Sequence, residues 1–369
     1  MARARRGRGE GSIYQLPDGT YKAAVSAGYD GAGKRRRKVV SGKTKAEVQA
    51  KLRAVQTRGV GDEPEKMTVA AWIKHWLEGP AKATAGPTTL TRYEQLARLY
   101  VSPYIGGMRL DKLRLLHIDT MLVDLEKAKV SVSNRSKAVT MLSTALREAV
   151  RKRLIDFNPV RDASKPRVER KEMATWSAGQ AERFMQIAAH DRLHALYVLA
   201  LTSGMRSGEM LGLEWADIDF DGRSVQVQRS LEELKGATRI KNTKSAKGRR
   251  RIDLPQVCID ALLEHRKRML AEGHVSAPVF CDTDGGYLRR PNISRRSFQP
   301  MLKWAVVPAV RFHDLRHTHA TLLLLKGVHP KIVSERLGHA SIEITLNTYS
   351  HVLPTLQREA ADKMERLFG

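Results

Sequence analysis

Four stretches in the second half of the chain concentrate side chains able to handle a negatively charged group. In Thr202-Ser203-Gly204-Met205-Arg206-Ser207-Gly208-Glu209, Arg206 stands between an apolar helix and a short turn leading to Leu211, Leu213 and Trp215. A guanidinium flanked by so much burial needs an anion; Glu209, three residues on, is one, so a buried Arg–Glu pair is the reading this segment alone favours over a binding site. The second stretch, Thr243 to Arg251, is a basic turn ahead of a strand. Its charge suits a hairpin touching phosphate, although a solvated loop is the commoner setting for any one lysine. The third, Arg311-Phe312-His313-Asp314-Leu315-Arg316-His317-Thr318-His319, puts His313 and Arg316 three apart on one helical face, with Leu322 to Leu325 burying the helix behind them. His313 and His317 also have the i, i+4 spacing of zinc ligands, but Arg316 between them opposes a dication and the glutamate of zinc hydrolases is missing. The fourth joins Leu337-Gly338-His339-Ala340-Ser341 to Thr345 through Val352, which contains Tyr349. By itself such a tyrosine is a packing residue with a wet hydroxyl.

Taken together, Arg206, Lys244, the pair His313 and Arg316, His339 and Tyr349 resemble, in order and local wording, the catalytic signature of the tyrosine recombinases, the phage integrase family. The resemblance spans about Ser177 to Val352, and the segments upstream look like the arm-site-binding and core-site-binding domains of a lambda-type integrase. It implies that the family's first arginine falls on Arg206 with its supporting acid at Glu209, the His-x-x-Arg box on His313 and Arg316, the following histidine on His339 and the nucleophile on Tyr349. The hairpin lysine falls on Lys244. Thr243 stands where relatives often have proline, and Lys241 and Lys247 compete for that place.

The residue types suit the implied reaction. Displacing a DNA 5′ oxygen from phosphorus builds charge on the equatorial oxygens, and the rigid forks of Arg206 and Arg316 hold that charge without a metal. Lys244 is the expected acid for the leaving alkoxide. A phenol with an ordinary pKa of about 10 must give up its proton as it attacks, so His313 is the expected base and His339 orients the phosphate. A 3′-phosphotyrosine at Tyr349 keeps the bond energy, so a 5′ hydroxyl from a second duplex reverses the step without ATP. The expected activity is site-specific recombination that integrates, and in reverse excises, a mobile element, with no cofactor and no metal. A type IB-like topoisomerase and a non-catalytic DNA-binding regulator are the alternatives. The resemblance further implies double-stranded attachment sites as substrate, a homotetramer on DNA, exchange of a C-terminal segment after Thr355, and a DNA-bending host factor and an excisionase as accessory partners.

Three modules must position these groups, giving a multidomain fold, mainly α with minor β. Residues 1–58 alternate apolar and polar residues around turns at Pro17-Asp18-Gly19 and Asp30-Gly31-Ala32-Gly33, predicting a three-stranded sheet. A capping-box spacing at Thr44 to Glu47 then opens a helix lined by Ala46, Val48, Leu52 and Val55. This module holds 15 Lys/Arg against 4 Asp/Glu, an excess that points to DNA contact, the arm-site role. A breaker-rich linker, 59–67, precedes a four-helix module over 68–158, where Val69, Trp72, Ile73, Trp76 and Leu77 mark the first buried stripe. After a charged linker, 159–174, a mixed α/β catalytic module runs over 175–369. Its capping box is Ser177 to Gln180, its strand pair lies near Ser224–Arg229 and Arg250–Leu254, and helices are expected near 181–189, 193–201, 314–326, 330–337 and 341–348.

Composition agrees with a folded protein whose partner is a polyanion. The chain of 369 residues carries 65 Lys/Arg against 39 Asp/Glu, a net charge of +26, yet 42% of it is hydrophobic, which separates it from disordered basic tails. Two cysteines, Cys258 and Cys281, are too few for a disulfide framework or a cysteine zinc site, so the chain reads as intracellular; the resemblance implies the cytoplasm, at the nucleoid, as its place. The apolar run Leu322 to Leu325 is far short of the roughly 20 residues of a membrane span. Asp217, Asp219 and Asp221 fit a turn before a strand better than a metal cage.

Overall fold

The computed structural model describes residues 12–29, 35–58, 67–168, 173–234, 236–242, 248–275, 278–349, 361–362 and 364–368. Strands β1 (Ser12–Gln15), β2 (Tyr21–Tyr29) and β3 (Arg35–Gly42) form an antiparallel sheet in that order, and Gly19, at φ +84°, makes the first turn. Helix α1 (Lys45–Arg58) follows. The Thr44 hydroxyl accepts from the Glu47 amide at 3.2 Å while the Glu47 carboxylate accepts from the Lys43 amide at 2.9 Å, a capping arrangement shifted back by one residue. Val48 and Leu52 pack on Ala23 as expected, whereas Ala46 is exposed and takes no part in the core. The side chain of Val55 lies outside the described residues.

The helical module is α2 (Val69–Trp76), α3 (Pro87–Leu96), α4 (Leu115–Lys127) and α5 (Val132–Arg151). Both α2 and α3 run on through a wide π-type turn, Leu77–Ala81 and Ala97–Val101, before a last short helical piece. Pro80 explains the first of these, because its ring removes one donor from the ladder. Leu77 sits in that widened turn and is only partly buried. The two indoles face inward: Trp72 is fully buried and its Nε1 donates to the Ala145 carbonyl at 2.9 Å, tying α2 to α5. This module and the sheet module have separate cores and lie in one compact unit, 1–169; a second unit covers 170–369.

In the second unit the Ser177 to Gln180 box is made in both directions, and starts α6 (Ala178–Ala188). Next come α7 (His194–Ser203), α8 (Ser207–Leu211), β4 (Ile218–Asp219), β5 (Ser224–Val227), β6 (Arg229–Leu234), β7 (Ala237–Asn242) and β8 (Arg250–Asp253). Strands β4, β5 and β8 form one antiparallel sheet, and β6 pairs with β7 in a separate hairpin that the sequence patterning does not announce. Helices α9 (Gln256–Ala271) and α10 (Gln299–Trp304) are likewise additional to the expected set. The chain continues through α11 (Asp314–Leu325), α12 (Pro330–Leu337) and α13 (Ile342–Thr348). Only Leu324 of the run 322–325 is fully buried, and Leu325 is exposed.

The α7 sequence is apolar all round, so it becomes the axle of this unit, packed against α6, α9 and α11. Trp176, Phe184, Tyr197, Phe298 and Phe312 form an aromatic cluster around it, which seats Phe312 beside the start of α11. Among the described residues no helix is long and apolar enough to cross a membrane.

Replacing the fully buried Trp72 by alanine is expected to cost roughly 3–5 kcal/mol through the cavity it leaves. Urea unfolding followed by far-UV circular dichroism should show a lower midpoint for the helical module, while a substitution at exposed Leu116 should leave it unmoved.

Candidate active site

The termini of α7, α8, α11 and α12 meet around an open cavity of about 720 Å³, lined by Arg206, Gly248, His313, Arg316, His317 and His339 among others. Gly204 ends α7 in the left-handed conformation, φ +64°, and a Cβ there would lie 2.5 Å from the His319 ring. The reversal aims the Gly204 carbonyl at Arg316, whose Nη1 donates to it at 2.7 Å. Arg206 follows in extended conformation as the N-cap of α8, with its amide donating to the Glu209 carboxylate at 2.9 Å and its Nη1 at 2.8 Å. Its Nη2 donates to the Gly338 carbonyl at 3.0 Å. The pair is not a buried one: the Arg206 side chain is 42% exposed toward the cavity, against 4% for that of Glu209.

Opposite, α11 brings in Arg316, itself buried, and the imidazoles of His313 and His317, whose rings meet edge to face at 5.7 Å. His313 is the N-cap of α11 and stays exposed. His339 follows the left-handed Gly338 that ends α12, and its Nδ1 is 2.8 Å from the buried Thr345 hydroxyl, which leaves Nε2 for a ligand. Tyr349 caps α13 and is 2% exposed. Its hydroxyl is not wet. It lies 2.9 Å from Nδ1 of His317, so His317 stands between phenol and cavity.

The electrostatics are those of a site short of one anion. Burial and then the facing Arg206 push the Arg316 guanidinium down to about 9. Burial would raise the Glu209 carboxyl, but the hydrogen bond and charge of Arg250, with Arg206, hold it below its ordinary value. His313, open to solvent on one side, is lowered by the burial of the rest of its ring, with Arg316 adding to it, and burial takes His317 and His339 to about 4, so the rings are neutral at pH 7. The Tyr349 phenol is pushed up to about 12 by burial, against which Arg316 acts. A phosphate in the cavity relieves the cation–cation repulsion and favours protonation of the rings around it.

Comparison with known proteins bears on what this cavity belongs to. Residues 175–355 match the family described as the phage integrase family, and residues 68–125 match the N-terminal SAM-like domain of phage integrases. The chain is 29% identical to a tyrosine recombinase XerC-like protein of Caldanaerobacter subterraneus subsp. tengcongensis, over 94% of this chain and 96% of that one. It is 26% identical to the ICEBs1 integrase of Bacillus subtilis, over 96% of this chain and 100% of that one.

The chain belongs to the phage integrase family of tyrosine recombinases.

It is therefore a site-specific recombinase, and neither the topoisomerase nor the regulator reading is favoured by these relatives. The Tn1549 transposon integrase in complex with circular intermediate DNA shares the fold at a TM-score of 0.67 and 22% identity, over 82% of this chain and 100% of that one. A lambda integrase dimer bound to a core site does so at 0.60 and 20%, over 77% and 95%.

Five of the six residues singled out from the recombinase's sequence thus lie at or beside one cavity: Arg206, His313, Arg316 and His339 line it and Tyr349 sits behind its wall. Lys244 and Lys247 lie outside the described residues. Lys241 is on β7, paired with Glu232 at 3.5 Å. Sequence reasoning missed His317, noticed only as an unlikely metal ligand, and Arg250, which shares Glu209 with Arg206. Among the described residues no group of three or more His, Cys, Asp or Glu side chains could hold a metal ion. Asp219 accepts from the Gly222 amide at 2.8 Å and Asp217 faces Arg229 at 3.3 Å, in keeping with the turn expected there.

Gly204→Ala is expected to lower the thermal midpoint and the cleavage rate together, since a positive φ costs roughly 1–2 kcal/mol before the clash with His319 is counted. Differential scanning calorimetry and a cleavage assay check it. A second expectation concerns acid. His319, buried with Nδ1 on the Leu201 carbonyl at 2.8 Å, is lowered by burial to about 4 from 6.5. The unfolded chain then binds the proton more readily, so stability present above pH 6.5 is lost as the pH falls toward 4, by up to about 3 kcal/mol for this ring. Unfolding measured from pH 7 to 4 should show that slope, reduced in His319→Gln.

Proposed function

We propose that this recombinase cleaves and rejoins double-stranded attachment sites through a 3′-phosphotyrosine at Tyr349, integrating a mobile element and excising it by the reverse reaction. The observation that carries the residue roles is the convergence of Arg206, Arg316 and three imidazoles on one cavity whose wall, His317, is bonded to the Tyr349 hydroxyl. Arg206 and Arg316 hold the two non-bridging oxygens of the scissile phosphate. The phenolic oxygen attacks phosphorus, the P–O5′ bond breaks, the phenolic proton passes to a histidine, for which His313 is the choice, and the 5′ oxygen takes a proton from Lys244. His339 donates from Nε2 to the phosphate. Because Tyr349 starts buried, cleavage requires the turn at the end of α13 to swing the phenol past His317 into the cavity.

The module roles complete the reading. Residues 1–58 contact arm-type sites, the four helices of 68–158 contact core sites, and 175–369 performs the chemistry, with 59–67 and 159–174 as linkers. One solved structure with this fold is a lambda integrase tetramer bound to a Holliday junction, and a homotetramer on two duplexes is the assembly proposed here. A DNA-bending host protein and an excisionase complete the set of partners, and the cytoplasm, at the nucleoid, is the proposed place of action. Neutralised phosphates dominate affinity, so binding weakens steeply with salt.

Incubating the protein with a nicked suicide substrate in EDTA and mapping the DNA-linked peptide tests the reading directly. Tyr349 is the expected attachment point; an adduct that persists in Tyr349→Phe, or that disappears on chelation, would overturn it. Deleting residues 1–58 should spare cleavage of isolated core sites and abolish full recombination, as read on plasmid substrates.

A further inference from the structure

The residue that ties the cavity together is not one that lines it. Arg250 opens β8, where the strand's alternation turns 250, 252 and 254 inward and 251 outward, so one arginine of the Arg249-Arg250-Arg251 run is forced inside. Its side chain is 8% exposed and every guanidinium nitrogen is engaged. Nη2 donates to Glu209 Oε2 at 2.8 Å and Nη1 to Oε1 at 3.2 Å, so the carboxylate that holds Arg206 is shared between two guanidiniums. Nε donates to the Arg336 carbonyl in the last turn of α12 at 2.7 Å. Gly338 lies directly on the guanidinium, since a Cβ there would come within 2.8 Å of Nη1. That contact sets the Gly338 carbonyl toward Arg206 and carries the chain on to His339.

We propose that Arg250 is a positioning residue for the phosphate clamp: through Glu209 it orients and electrically frees Arg206, and through the end of α12 it sets the loop that bears His339. Were Glu209 paired with Arg206 alone, the carboxylate would cancel most of the charge meant for phosphate. Sharing it with a second, buried guanidinium leaves Arg206 with positive charge to spend on the substrate and fixes its fork from behind. The inference rests on the reading of Arg206 as a phosphate-holding group.

The test is a double-mutant cycle in the full-length protein, with single-turnover cleavage of a nicked core site measured at saturating DNA. Arg250→Met should slow cleavage about 30-fold or more while DNA affinity stays within about 2-fold, a loss confined to the transition state. On an Arg206→Ala background the same change should cost clearly less, about 10-fold at most, because the route through Arg206 is gone and only the one through the His339 loop remains. Arg250→Lys, which keeps the charge but cannot reach both carboxylate oxygens and the Arg336 carbonyl, should fall between wild type and Arg250→Met, and it carries the cycle should Arg250→Met fail to fold. Penalties that multiply in the double variant, or a wild-type rate in Arg250→Lys, overturn the proposal. A wild-type rate in Arg206→Ala overturns the reading of Arg206 beneath it.

Discussion

One buried carboxylate shared by two guanidiniums is the constraint around which the catalytic unit is arranged. Glu209 sits on α8, Arg206 caps the same helix, and Arg250 comes from the sheet. Arg316 adds a third cation from α11, held by a backbone carbonyl instead of a carboxylate. Taking so much like charge out of water is costly unless something compensates, and here only one acid does so fully. The arrangement is stable because two helix ends supply carbonyls at Gly204, Arg336 and Gly338, and the remaining charge is what a phosphate would satisfy.

The same economy explains the surroundings of Tyr349, the proposed nucleophile. Neutral imidazoles are the rings that can stand beside three guanidiniums without adding to the repulsion, and burial keeps His317 and His339 neutral. A neutral His317 is free to bond the Tyr349 hydroxyl, which raises no new charge in the resting chain. On the function proposed, DNA would change the balance at one stroke, since a phosphate offsets the guanidiniums and lets the rings take protons. In that proposal substrate binding and catalytic readiness are two aspects of one electrostatic change.

Structural supports outside the cavity follow from this need for fixed geometry. An apolar helix, α7, delivers the Gly204 turn from the core of the unit, and the aromatic cluster fixes Phe312 next to His313. Where the positions are tight, glycine is required: at 204 a side chain would strike His319, and at 338 it would strike Arg250. These contacts join residues 115 and 88 positions apart in sequence, so local stiffness alone cannot make them.

Periodicity and motif order by themselves determined much of this protein. The Ser177 to Gln180 cap, the indole stripe of α2, the β1–β2–β3 meander and the order Arg206, His313, Arg316, His339, Tyr349 are all local patterns, set by backbone propensity and side-chain spacing. The β6–β7 hairpin was not legible because its strands mix charged and apolar residues on both faces, and α9 and α10 were masked by the basic residues within and between them. Only the tertiary structure decided which arginine stays open to the cavity and which is buried, that His317 and not His313 meets the phenol, and that Arg250 shares Glu209. The physical reason is that burial and pairing belong to a side chain's neighbours in space, and for these residues the neighbours come from five separate helix ends and a strand.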